Sequence, residues 1–319
     1  MTVPIVRTSA GWRIDTPGGL VPVRTAAATT AELLADRAAI EAAVSDGGAA
    51  EPVAEAETLL SPVTAPCRVV AQMVNYRSHA VDSNFDPDRV PPAFFRKSSG
   101  SITGPHATVL RPDGVRLLDH EVELGLVIGA PMPVGTEVTD ENMADFVAGL
   151  VIANDVSARD LQLPKTQFYE SKSYPTFTPL GPRLLLTGAA DLARLTDLRL
   201  TCAVNGRIRQ DGTVSDMIVA PARALSLLSR FQPLEPGDVL LTGTPGGTAL
   251  RSPGLLIEKL GALLPAHVKW KTFFRRQEGN PAYLKDGDVM TLRIRTDDGA
   301  LDLGEQRTPV ASARRGNAH

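Results

Sequence analysis

Leu117-Leu118-Asp119-His120-Glu121-Val122-Glu123-Leu124-Gly125-Leu126-Val127-Ile128-Gly129 alternates with a period of two. Val122, Leu124, Leu126 and Ile128 share one parity, the signature of a β-strand with an apolar face. Glu121 and Glu123 share the other parity, so both carboxylates project from the same side. Two residues of strand rise set their Cα atoms roughly 7 Å apart, close enough to reach one cation. The surrounding sequence is apolar, and carboxylates are rarely buried without a partner. A hard divalent metal held through oxygen is the natural partner for such a pair. A half-exposed strand with two surface glutamates fits this segment equally well.

Composition narrows the class around that strand. At 319 residues the chain can form one large domain plus a small one, or two domains. Its 43% hydrophobic and 22% charged content is ordinary for a soluble globular protein. A net charge of −3 gives no electrostatic reason to expect nucleic acid or an anionic membrane as partner. Cys67 and Cys202 stand far apart in no CxxC spacing. They fit reduced thiols and exclude a zinc–thiolate cluster. The first residues carry no basic-then-apolar signal pattern, and no apolar run reaches membrane-spanning length. The expectation is a cytoplasmic protein.

Residues 1–62 read as a small N-terminal domain, followed by a main domain over 63–319. The first part offers a hairpin over residues 3–7 and 11–15, turning at Ser9-Ala10-Gly11. Thr29 and Glu32 form a capping-box pair ahead of one helix carrying Leu33, Arg37, Ile40 and Val44, ended by Gly47-Gly48. The stretch from there to Pro66 reads as a connector. Neither repeats nor chemistry are evident in it.

The main domain opens with a buried-strand pattern over 68–74, then Asn75-Tyr76-Arg77-Ser78-His79-Ala80-Val81-Asp82. On a helical turn His79 and Asp82 sit at i, i+3, where a carboxylate can orient an imidazole as general base. Residues 83–95, with Asp86-Pro87 and Pro91-Pro92, read as a mobile loop suited to a lid. After the acidic strand a short helix is predicted, capped by Thr139 and closed by Gly149. An apolar strand then runs into Asn154-Asp155-Val156-Ser157-Ala158-Arg159-Asp160-Leu161-Gln162. Asp155 is the candidate third metal carboxylate. Arg159 and Gln162 share its helical face and offer donors to a substrate carboxylate, although Arg159 could equally pair with Asp160 or Asp155. The remainder is mostly β, with strands predicted over 183–187, 198–204, 238–242 and 288–295. Asn205-Gly206 signals a type I′ hairpin, and a helix is predicted over 221–231. Residues 249–286 look like an insertion in which Lys269, Lys271, Arg275 and Arg276 surround Trp270, Phe273 and Phe274. That mixture suits an interface, a lid or a plain solvated helix.

Four motifs in order give the chain a family resemblance: Asn75-Tyr76-Arg77-Ser78-His79, Asp119-His120-Glu121-Val122-Glu123-Leu124, Asn154 to Gln162, and Thr242-Gly243-Thr244-Pro245. Val204-Asn205-Gly206, Arg209-Gln210-Asp211-Gly212 and Asp216-Met217-Ile218 extend it. Together they resemble the fumarylacetoacetate hydrolase family over roughly residues 66–248 and 285–304. The resemblance implies an α+β, β-rich fold, a mixed β-roll of the fumarylacetoacetase C-terminal type, usually homodimeric. It implies Mg²⁺ or Mn²⁺ on Glu121, Glu123 and Asp155. It implies a 2-oxo or β-diketo acid substrate, His79 with Asp82 activating water, and Lys172 stabilising developing negative charge. Arg159, Gln162, Gly243 and Thr244 would bind and orient the substrate. In the similar acylpyruvases the partner of the histidine is glutamate; Asp82 is one methylene shorter and needs a closer backbone approach. The leading expectation is hydrolysis of a C–C bond in a β-diketo acid such as an acylpyruvate. Isomerisation or decarboxylation on the same scaffold is the alternative, and a non-catalytic metal- or metabolite-binding protein is a second one.

Overall fold

The computed structural model describes residues 2–45, 58–165, 168–252 and 265–313. The acidic strand, Val122–Ile128, is buried along its whole length and lies inside an eleven-stranded sheet. Its neighbours are the antiparallel strand Val147–Asn154 and the antiparallel strand Val239–Leu241. The apolar parity read from the sequence packs into one core: Val122, Leu124, Leu126 and Ile128 meet Leu150 and Ile152 there. Val127, on the carboxylate parity, joins a second core on the other side. The sheet is therefore covered on both faces, and its central strands have no solvated side to spare for surface glutamates.

The first core is shared with a five-stranded sheet that includes Arg199–Val204, Val289–Arg295 and Asp302–Ser312. Leu200, Cys202, Leu292, Ile294 and Leu303 are among its fully buried contributions. Burying each such side chain contributes roughly 1.5–3 kcal/mol relative to exposure. Asn205 (φ 52°) and Gly206 (φ 77°) form the expected primed turn between Arg199–Val204 and Arg207–Thr213. The architecture is the mixed, β-rich roll anticipated from the resemblance.

The N-terminal residues share that framework. Strand Val3–Thr8 pairs antiparallel with Thr178–Leu186, so the hairpin and the strand Gly19–Pro22 extend the main sheet. Thr29 does make the reciprocal capping box with Glu32. The single helix expected after it is two helices, Thr30–Ala35 and Arg37–Ser45, interrupted at Asp36, whose ψ of 56° leaves the helical region. Leu33, Leu34 and Ile40 from this pair cover the second core. The Gly47-Gly48 stop lies outside the described residues.

Two other boundaries differ from expectation. The short helix spans Met143–Phe146 with Asn142 at its N-cap, and Asn142 Oδ1 accepts from Thr139 N–H at 2.8 Å. Gly149 is a strand residue, in a backbone approach so close that a Cβ would lie 2.4 Å from the Leu185 carbonyl oxygen. In the insertion, the helix Ala266–Glu278 is described, and residues 253–264 lie outside the described residues. Among the described residues no helix is long and apolar enough to cross a membrane.

Candidate metal centre and active site

The register of two central strands builds the acidic cluster. Val122 pairs with Asn154, so the next residues outward, Glu121 and Asp155, are neighbours, and Asp155 N–H donates to the Glu121 carbonyl at 2.9 Å. Glu123 follows one pleat along on the same face. All three carboxylates are buried, and their ligand atoms lie within 4.8 Å of one another. A set of three hard oxygen donors suits Mg²⁺ or Mn²⁺, which are held by carboxylates rather than by sulfur. The three carboxylates expected to hold a metal are thus brought together.

Three cations enclose it. Lys172 Nζ bridges Glu121 Oε2 at 2.8 Å and Asp155 Oδ2 at 2.5 Å. Lys97 Nζ contacts Asp155 Oδ1 and donates to the Phe177 carbonyl at 2.9 Å. Arg159 pairs not with Asp160 but with Asp119 through Nε at 2.9 Å and with Glu121 through Nη2 at 2.5 Å, while Nη1 reaches Gln162 Oε1 at 2.8 Å. Asp160 instead accepts from Arg116 N–H. Four buried carboxylates, counting Asp119, therefore face three buried cations, one positive charge short of balance.

That shortfall falls on Glu123. Burial, with the charges of Asp155 and Glu121 beside it, raises its carboxyl well above the usual range. For Glu121 burial also pushes upward, but Lys172 and Arg159 overcome it and hold the group well below its usual value. Burial acts against the Lys172 ammonium, and Asp155 and Glu121 override it, so the pKa is raised. A protonated Glu123 must release its proton to become a metal ligand. Mn²⁺ titrations near neutral pH, in buffers of different ionisation heat, should show release of about one proton per ion bound. A binding heat independent of buffer would mean that Glu123 is already ionised.

The remaining predicted site residues are near the cluster, several in other roles than expected. Gly243 N–H donates to Glu123 Oε2 at 2.8 Å, so it braces a candidate ligand. Its φ of +85° and a would-be Cβ 2.7 Å from Asn75 Cβ both require glycine. The Thr244 hydroxyl donates to the Val122 carbonyl at 2.9 Å and accepts from Gln210 at 2.7 Å, which commits it to holding the acidic strand.

His79 is buried on the short helix Arg77–Asp82, and its Nδ1 has no hydrogen-bond partner. Burial lowers its pKa, against the pull of Glu121, so the imidazole is neutral. The expected bond to Asp82 is not made. Asp82 ends the helix beside a turn, and its Oδ2 accepts from Gly247 N–H at 2.9 Å. Two site groups escaped the sequence reading. Asp119 lies on the same parity as Glu121 and Glu123, and that periodicity already marked it. Lys97 shares its strand parity with Phe95, whose ring lies 5.1 Å from Lys172 Nζ, but a lone lysine ending an apolar strand gives little warning.

Known proteins share this arrangement's framework. The mitochondrial oxaloacetate tautomerase Fahd2a of Rattus norvegicus is 37% identical over 206 residues, 63% of this chain and 63% of that protein. The fahd2 oxaloacetate tautomerase of Xenopus laevis is 34% identical over 239 residues, 74% of this chain and 65% of that protein. The chain thus spans less than two thirds of the length of these curated relatives. A probable 2-hydroxyhepta-2,4-diene-1,7-dioate isomerase from Mycobacterium abscessus superposes with a TM-score of 0.74 at 30% identity, covering 98% of this chain and all of that one. The fumarylacetoacetate hydrolase of Exiguobacterium antarcticum gives 0.70 at 26% identity, again over 98% of this chain. Residues 68–311 match the fumarylacetoacetate (FAA) hydrolase C-terminal family, and the chain belongs to that family.

Proposed function

We propose that this protein is a divalent-metal-dependent tautomerase or isomerase of a short 2-oxo dicarboxylic acid, moving a proton between carbon and oxygen. The observation that carries the reading is the separation of His79 from Asp82. A neutral imidazole with an unpartnered Nδ1 stands in the site, and the carboxylate meant to orient it is bound to Gly247. Attack by water on a carbonyl needs an oriented base. A keto–enol shift needs a group that takes the proton from the carbon beside the 2-oxo group and one that hands a proton to its oxygen. His79 supplies the first and the Lys172 ammonium the second. Arg159 and Gln162 offer paired donors to a substrate carboxylate. A cation on Glu121, Glu123 and Asp155 would polarise the 2-oxo group and its adjacent carboxylate. The same cation would turn the buried charge balance positive, favouring a dianionic substrate. The names of the rat and Mycobacterium abscessus relatives, a tautomerase and an isomerase, point to the same proton-transfer chemistry.

C–C hydrolysis of a β-diketo acid is the second reading, and the one turn of helix between His79 and Asp82 favours it. It requires Asp82 to leave Gly247 and reach the imidazole. With Mg²⁺ present, the protein should consume enol-oxaloacetate with higher kcat/KM than it cleaves acetylpyruvate. Asp82→Asn should keep tautomerisation within roughly threefold, because general-base contributions of order 10²–10⁴ then rest on His79 alone. Faster acetylpyruvate cleavage that disappears in Asp82→Asn would establish the hydrolase instead.

A further inference from the structure

The entry to the 249–286 insertion is fastened to the active site through one side chain. Asp119 is completely buried. Its Oδ1 accepts from His120 N–H at 2.9 Å and Ala249 N–H at 2.8 Å. Its Oδ2 accepts from Arg159 Nε at 2.9 Å and Leu250 N–H at 3.1 Å. All four neighbours are donors, a set that only an ionised carboxylate satisfies on both oxygens. The bond to Nε fixes the plane of the guanidinium, whose other nitrogens meet Gln162 and Glu121.

The same place receives the far end of the insertion. Leu284 N–H donates to the Leu118 carbonyl at 2.8 Å, and Tyr283 packs with Leu117 and Ala249. Asn280 Nδ2 holds the Ala249 carbonyl at 3.1 Å. Further along, Gly247 N–H and Ser252 N–H bind the Asp82 side chain and carbonyl, at the end of the helix that carries His79. Residues 247–252 thus touch the helix of His79 on one side and, through Asp119, Arg159 on the other.

We propose that Asp119 is a positioning residue coupling the seat of residues 247–252 to Arg159, so that the presentation of Arg159 to a substrate carboxylate depends on how those residues are seated. This rests on the reading of Arg159 and Gln162 as donors to that carboxylate. A guanidinium pinned at Nε offers its remaining N–H groups in a fixed plane, which is what paired recognition of a carboxylate demands. A shift of Ala249 and Leu250 must move Asp119 with them or break a charge-assisted bond.

The test compares Mn²⁺ affinity with the affinity of the Mn²⁺-loaded protein for oxalate, a chelating dianion. Asp119→Asn can serve the donors of one oxygen only, since its amide nitrogen opposes the others. Oxalate binding should weaken by roughly tenfold or more, the loss expected when a charge-assisted hydrogen bond is removed. Mn²⁺ affinity should change by less than about threefold, because Asp119 is not a ligand and its charge is already paired with Arg159. The sign of the oxalate effect is decisive: removing a negative charge from an electrostatic bystander would leave an anion's affinity unchanged or improve it. Asn280→Ala loosens Ala249 from the other side without touching the site, and should weaken oxalate by roughly threefold, the worth of one neutral hydrogen bond. Unchanged or tighter oxalate binding in both variants would overturn the coupling while leaving the proposed function intact. A wild-type protein that binds Mn²⁺ but not oxalate would overturn both.

Discussion

Glu123→Gln should abolish divalent-cation binding and turnover while leaving the metal-free protein at least as stable as the wild type. The first half follows from the donor set. Three carboxylates supply the protein ligands, and losing one charged oxygen donor from so small a set should weaken binding severely. The second half follows from the crowding of charge. The folded pKa of Glu123 lies above its ordinary 4.5, pushed there by burial and by Asp155 and Glu121. Its contribution to stability is therefore complete below the unfolded value and is lost as pH rises through the folded one. Glutamine is neutral at every pH, can still accept from Gly243 N–H, and is free of that loss. Calorimetric titration with Mn²⁺ and thermal melts across pH test the two halves separately. Wild-type Mn²⁺ affinity in Glu123→Gln would remove Glu123 from the metal site.

Lys172→Met should have the opposite signature: a metal-free protein that is markedly less stable, an intact or tighter metal site, and no turnover. The ammonium is almost wholly buried between Glu121 and Asp155. Removing one partner from a buried ion pair leaves uncompensated charge and costs about 3–5 kcal/mol. The loss should lie toward the lower figure, because Arg159 and Lys97 still contact Glu121 and Asp155. A divalent ion would then replace the missing positive charge, so added Mn²⁺ should raise the melting temperature more in this variant than in the wild type. Turnover should stay lost even with metal bound, since the Lys172 proton donor to the reacting oxygen is gone. Equal melting of the two metal-free proteins would show that Lys172 is not the counter-charge of the carboxylates.

The acidic cluster was legible because strand parity is a local property: Glu121 and Glu123 declare their common face within three residues. Asp155 was legible only as an acidic residue ending an apolar strand, and the pairing of Val122 with Asn154 brings it to the other two. Local patterns also carried the Thr29 capping box and the Asn205-Gly206 turn. They failed where long-range contacts decide. The His79–Asp82 pair has correct helical spacing, but a turn some 165 positions away competes for the carboxylate. The resemblance marks Gly243 and Thr244 as substrate-binding, and in the structure their hydrogen bonds go to Glu123 and Val122. The long strand Asp302–Ser312 escaped notice because Gly304 and Pro309 interrupt its pattern, a tolerance granted by pairing with Val289–Arg295.

The insertion leaves and rejoins the fold at adjacent points, Ala249 on Asp119 and Leu284 on Leu118. An excursion whose ends are already stapled together carries a closure entropy that grows only logarithmically, about 0.6 kcal/mol for each doubling of its length. Its size and composition can therefore change between descendants at almost no thermodynamic cost to the strands beneath. Such an excursion is an interchangeable module, free to drift in length and composition while the acidic strand stays fixed.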